Sequence, residues 1–131
     1  MTRPMAPSIF VINLDRRPDR LAHMATQLDA MGLPWERVAA HDKENVADDL
    51  LAAEVALTGH RIAMGRGSQA CALTNFDIFR RMIAEDLPAA LILQDDVDLH
   101  PDLKAYLTSL DWLPEGIDLV IVTVETSEPG L

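Results

Sequence analysis

The stretch Leu91-Ile92-Leu93-Gln94-Asp95-Asp96-Val97-Asp98 constrains this chain more than any other. It begins as an apolar run of the kind that fills a buried strand and ends abruptly in acid, with Asp95, Asp96 and Asp98 close together. Unpaired charge is costly to bury, so the acids belong beyond the buried part of the strand. Open α/β sheets take their ligands just outside the carboxyl ends of their strands. Acids placed there can hold a hard divalent cation, which prefers oxygen ligands and in turn grips phosphate. The run therefore fits a metal–diphosphate site at a strand end. It fits equally a solvated acidic turn, with Asp98 opening the next helix.

The rest of the chain alternates between two periodicities. Ser8 to Leu14 is β-branched and aromatic throughout its middle, which predicts a strand buried on both faces. The charged segment Asp15-Arg16-Arg17-Pro18-Asp19-Arg20 follows, and Pro18 suits the first turn of a helix. Leu21, Met24, Ala25, Leu28 and Met31 recur at helical spacing, and Gly32 is a stop. Residues 33–40 return to a short second strand ending at His41-Asp42. A helix is predicted from Asn45 to Leu57, then a glycine-rich loop from Thr58 to Gly67. Ser68 is the expected N-cap of a longer helix reaching Glu85, with Ala72, Phe76, Phe79 and Ile83 as its core-facing stripe. Ala89 to Leu93 is the strand that delivers the acids. Pro101 opens a short helix, and Leu119 to Val124 forms the last strand. This alternation predicts one α/β layered domain over residues 1–131, with a mostly parallel sheet flanked by helices.

Composition excludes several classes. At 131 residues and 49% apolar content the chain can build a core and is not intrinsically disordered. No apolar run approaches the ~20 residues of a membrane-spanning helix, and the first residues do not read as a signal peptide. One cysteine, Cys71, leaves no internal disulfide and fits a reducing compartment, so a cytoplasmic location is expected. The net charge of -10 argues against a nucleic-acid partner. An anionic nucleotide would need local arginines or a metal.

Three blocks carry a resemblance. Val11-Ile12-Asn13-Leu14-Asp15-Arg16-Arg17-Pro18-Asp19-Arg20 resembles the opening signature of glycosyltransferase family 25, the lipopolysaccharide-biosynthesis type of sugar transferase. Gly67-Ser68-Gln69-Ala70-Cys71-Ala72-Leu73-Thr74-Asn75 is similar to that family's Gly-Glu-Ile-Gly-Cys-x-Leu-Ser-His block. Ala90 to Val97 resembles its Glu-Asp-Asp-Val block, and Ile117-Asp118-Leu119-Val120 fits the strand that follows. The blocks stand in the family's order and span nearly the whole chain.

The resemblance implies a GT-A-like nucleotide-binding sandwich that uses a UDP-sugar, usually UDP-galactose or UDP-glucose, and Mn2+ (or Mg2+). It implies transfer of a hexose to a cell-surface glycan acceptor of lipopolysaccharide type, with inversion at the anomeric carbon. Asp95 and Asp96 are the expected metal ligands, with Asp98 a further candidate. Asn13, Leu14 and Arg17 at the end of the first strand are expected to face the nucleotide, together with Asp42 and Asp95. For each of Arg16, Arg17 and Arg20 taken singly, a surface ion pair with Asp15 or Asp19 is the plainer expectation.

The departures from the family pattern bear on activity. Gln94 replaces a glutamate, which removes one charge from the acidic cluster. Thr74-Asn75 replaces Ser-His, and asparagine cannot move a proton as histidine does. Family members ordinarily continue beyond the last strand seen here, so a short C-terminus is expected to lack acceptor recognition. The alternative reading is accordingly an inactive, truncated relative that retains at most nucleotide-sugar binding. No base is assigned; Asp98 or Asp118 would serve only if the fold brought it to the acceptor face. The strand at 119–124, uncovered by anything after it, implies self-association.

Other signals carry less. Gly65-Arg66-Gly67-Ser68-Gln69-Ala70 matches a dinucleotide fingerprint, but no clear strand precedes it. A receiver-like phosphotransfer domain would want a later lysine at a strand end, and Lys104 falls on an expected helix. Cys71 reads as a buried helical thiol, and His41, the histidine nearest the expected site, as a loop residue.

Overall fold

The computed structural model describes residues 7–54 and 65–116. The chain runs β1 (Ser8–Asn13), α1 (Pro18–Ala30), β2 (Glu36–Ala39), α2 (Asp48–Glu54), α3 (Arg66–Ala84), β3 (Ala90–Gln94) and α4 (Leu103–Thr108). The strands form a parallel sheet in the order β2-β1-β3. Central Val11 pairs with Arg37 on one side and Leu93 on the other. The expected α/β sheet flanked by helices is what these residues build.

The apolar run of β1 explains the layering. Ile9 and Val11 turn to one face, where they meet Met24 and Leu28 of α1 and Leu107 of α4. Phe10 and Ile12 turn to the other, where they meet Ile78 of α3. A strand with apolar residues at successive positions has no solvent face to offer, so it takes the middle of the sheet under helices on both sides. The chain passes from β1 through α1 to β2, then returns over β1 to reach β3. Right-handed crossovers in both directions require helices on opposite faces, as the packing shows.

Helix α1 starts at Pro18 and ends where Gly32 adopts a φ of +69°, as its sequence predicts. Helix α3 corrects two expectations. Its N-cap is Gly65 in an extended conformation, not Ser68. Arg66 then anchors its first turn by donating to the carbonyls of Lys43 and Val46 and pairing with Asp48. Its buried residues are Gln69, Ala70, Leu73, Thr74 and Ile78. Of the expected stripe, Ala72 and Phe76 pack partly against a cluster containing Val46 and Leu51, while Phe79 is 41% and Ile83 81% exposed. Two apolar stripes of the same period lie side by side on this helix, and periodicity cannot choose between them. The sheet selects the one carrying Ile78.

Helix α2 begins at Asp48, later than expected, because Asp42 O accepts from the N–H groups of Asn45 and Val46 and turns the chain first. Asp98 does not open a helix; α4 begins at Leu103. Gln27 of α1 holds the segment after the acids, donating to Val97 O at 3.0 Å and accepting from Leu99 N at 2.6 Å. The expected last strand at 119–124, the self-association argued from it, Asp118 and most of the 58–67 loop lie outside the described residues. Among the described residues no helix is long and apolar enough to cross a membrane.

Candidate active site

Parallel pairing of β1 with β3 places Ile12 opposite Gln94, so the residues that follow, Asn13 and Asp95, meet at the sheet's carboxyl edge. Asp95 is 8% exposed. Its Oδ2 accepts a 2.8 Å hydrogen bond from Asn13 Nδ2, and its Oδ1 lies 3.6 Å from Arg20 Nη1 in the first turn of α1. Asn13, 2% exposed, uses both ends of its amide. Nδ2 donates also to Arg17 O at 2.9 Å, and Oδ1 accepts from Arg37 Nε at 2.9 Å. Arg37 Nη2 completes the knot by donating to Asn13 O at 3.1 Å and to Asp15 Oδ1 at 2.6 Å. A buried carboxylate is thus tied to two arginines, one directly and one through an amide, which is how such a group avoids the cost of isolation.

A cleft of about 180 Å³ opens over this edge. Gln94, Asp95 and Asp96 line it from the end of β3, and Arg20 from α1. Ile12 and Leu14 contribute the β1 side, Ala40 and His41 the end of β2. Gly67, Cys71 and Thr74 close it from α3. Cys71 is exposed there, which corrects the expectation of a buried thiol; the helix's core face is one position round from it. His41 is held at two points. Its backbone N–H donates to Thr74 Oγ1 at 3.0 Å, and its Nε2 lies 2.7 Å from Asp77 Oδ2.

The residues expected to bind ligand divide into two groups. Leu14, Asp95 and Asp96 line the cleft. Asn13 stands behind it with its amide committed, so it orients Asp95 rather than presenting itself to a ligand. Arg17 turns to Asp19, donating at 3.0 and 2.9 Å, and its hydrogen bonds hold the Asp19 carboxyl down to about 2. Asp42 accepts from Arg16 Nε at 2.7 Å and from Glu44 N at 3.0 Å, which keeps its carboxyl below the usual range; it does not line the cleft. Asp98 has a side chain 91% exposed and pairs with His23 at 2.9 Å, also away from the cleft.

The acidic run is therefore split by the fold. Among the described residues no three His, Cys, Asp or Glu side chains gather at one point. What faces the cleft is a pair of carboxylates, Asp95 and Asp96, beside the amide of Gln94. That donor set, all oxygen, suits a hard cation that keeps its remaining coordination for water and phosphate. Arg20, Arg37 and Thr74 were not singled out by sequence as site residues. Arg20 had one legible signal: a helix opening directly after a strand lays its first turn over that strand's end. Arg37 had none beyond being a charge inside a short strand.

The sequence profile of glycosyltransferase family 25 (LPS biosynthesis protein) matches residues 6–121. A glycosyltransferase 25 family member from Aedes aegypti is 33% identical over 103 residues, covering 73% of this chain and 17% of that protein. The lacto-N-neotetraose biosynthesis glycosyltransferase LgtE of Neisseria meningitidis serogroup B is 26% identical over 119 residues, 88% of this chain and 42% of that protein. The inactive glycosyltransferase 25 family member 3 of Mus musculus is 26% identical over 111 residues, 78% of this chain and 18% of that protein. An α/β sheet with an acidic and arginine-lined cleft at its carboxyl edge is the frame in which these likenesses fall. The chain belongs to glycosyltransferase family 25. It spans less than half the length of these relatives.

Proposed function

We propose that this chain forms the donor half of a glycosyltransferase that moves a hexose from a UDP-sugar to a glycan acceptor of lipopolysaccharide type in the cytoplasm. The observation that carries the reading is the cleft itself, in which Asp95 and Asp96 face the same space as Arg20 at the carboxyl ends of β1 and β3. A diphosphate leaving group gathers negative charge as it departs, and positive groups fixed beforehand stabilise that charge without reorganising. Arg20 is such a group, held by the buried Asp95. A GT-A-like arrangement would place the nucleotide over Leu14 and the end of β1.

Asp95 and Asp96 would hold Mn2+ or Mg2+, with the Gln94 amide oxygen as a neutral neighbour. When bound, the ion would supply a Lewis acid for the diphosphate oxygens. The chain's own contribution is to orient: Asn13 and Arg37 fix Asp95, and Asp95 fixes Arg20.

A second reading, an inactive relative that retains at most nucleotide-sugar binding, is favoured by Gln94 in the acidic block and by the likeness to the inactive mouse protein. Calorimetric titration of UDP with and without Mn2+, repeated on Asp96→Ala, tests both. Metal-dependent binding that is lost in the variant supports a working donor site. No binding by a folded protein refutes the first reading.

A further inference from the structure

Glycosyl transfer to a hydroxyl requires a group that takes the hydroxyl's proton. Of the two carboxylates the sequence offers for this, Asp98 is paired with His23 away from the cleft, and Asp118 is outside the described residues. We propose that His41, oriented by Asp77, is the general base of this cleft. The inference rests on reading the cleft as a glycosyl-transfer site.

Among the described residues His41 is the one imidazole lining the cleft. It is anchored more firmly than a loop histidine would be. Ala40 N, just before it, donates to Asn13 O at 3.0 Å, and His41 N donates to Thr74 Oγ1, itself bonded to Ala70 O at 3.1 Å. The ring then lies 2.7 Å from Asp77 through Nε2. Asp77 also faces Arg80 at 3.6 Å. An ionised carboxylate only accepts, so Nε2 carries the hydrogen and Nδ1 carries the lone pair. Among the described residues Nδ1 has no partner. A carboxylate that fixes the tautomer of an imidazole and stabilises its protonated form is the arrangement that makes histidine an effective base.

Among the described residues the charged groups around the ring are Asp77 and Arg80 from α3, Asp42 with Arg16 next along the chain, and Asp95, Asp96 and Arg20 across the cleft. In the step, His41 Nδ1 takes the acceptor's hydroxyl proton as that oxygen bonds to the anomeric carbon. The bond from the anomeric carbon to the diphosphate breaks, and its electron pair leaves on UDP. The proton on Nδ1 then passes to solvent. A UDP-sugar and a hydroxyl thus become a glycoside, UDP and a proton.

The test is UDP release from UDP-glucose and UDP-galactose, with water or an added sugar as acceptor, alongside UDP affinity by calorimetry. His41→Gln keeps the backbone bond to Thr74 and is expected to lose about 100-fold or more in turnover while UDP affinity is unchanged. Asp77→Asn is expected to lose less, in kcat with the donor KM unchanged, and Asp77→Glu to recover part of that loss, which a purely structural role would not do. Wild-type turnover in His41→Gln overturns the proposal and leaves the function reading intact. Equal loss of UDP affinity and turnover also overturns it, assigning His41 to donor binding. A wild-type protein that binds UDP without turning over either donor overturns the active-enzyme reading and this proposal with it.

Discussion

Asn13 and Asp95, 82 residues apart in sequence, share a 2.8 Å hydrogen bond beneath the cleft, and both are buried. That bond joins the ends of two neighbouring strands and orients the carboxylate on which Arg20 rests. Asn13→Ala would leave Asp95 Oδ2 and Arg37 Nε without their partner. An unsatisfied buried polar group costs about 1–3 kcal/mol, so the unfolding free energy should fall by that amount, read as a lower urea midpoint at an unchanged slope. A variant as stable as the parent would mean that Arg20 alone suffices to hold Asp95.

Arg20 and Arg17 are separable by binding. Arg20 lines the cleft, whereas Arg17 is occupied by Asp19. Loss of a charge-assisted hydrogen bond of about 1.5–3 kcal/mol corresponds to roughly 10- to 100-fold in affinity. Arg20→Gln is expected to weaken UDP binding by that factor, and Arg17→Gln to change it little. The reverse order in calorimetry would place the diphosphate on the opposite side of the turn.

The Arg17–Asp19 pair sets a pH signature. The guanidinium's hydrogen bonds hold the Asp19 carboxyl at about 2 in the folded chain, below its ordinary 3.8. A depressed folded value means the stabilisation is present above the unfolded value and is lost as pH falls from near 3.8 toward 2. A carboxyl-carbon NMR titration should therefore give a midpoint near 2 for Asp19, moving upward in Arg17→Gln. A wild-type midpoint at the ordinary value would show that the pair does not persist in solution.

The rotation of α3 is testable by two isoleucines on one helix. Ile78 is 1% exposed against Phe10 and Ile12, while Ile83 is 81% exposed. Ile78→Ala should cost about 2–5 kcal/mol in denaturant unfolding. Ile83→Ala should stay within about 0.5 kcal/mol. Similar losses at both positions would restore the stripe of Ala72, Phe76, Phe79 and Ile83 as a core face.

Much of the architecture was legible in the chain itself. The unbroken apolar run of β1 requires a central, doubly covered strand, and Pro18 and Gly32 bracket α1 with local backbone preferences. The abrupt change from Leu93 to Asp95 marks a strand end because charge cannot continue into the core. The motif blocks carry the family. These are short-range signals, decided by the chemistry of neighbouring residues.

The tertiary structure decided what faces the cleft. Adjacent acids in sequence point to different partners: Asp95 to Asn13 and Arg20, Asp98 to His23. The cleft's arginine is Arg20 rather than Arg17 because Asp19 lies within reach of Arg17 while α1 carries Arg20 over the end of β3. His41 meets Asp77 only because α3 crosses the end of β2, and α3 itself turned to the stripe the sheet could use. Side-chain pairing across dozens of residues depends on strand order, register and helix rotation. Composition and periodicity carry no term for any of these, so they specified the elements and left the site to the packing.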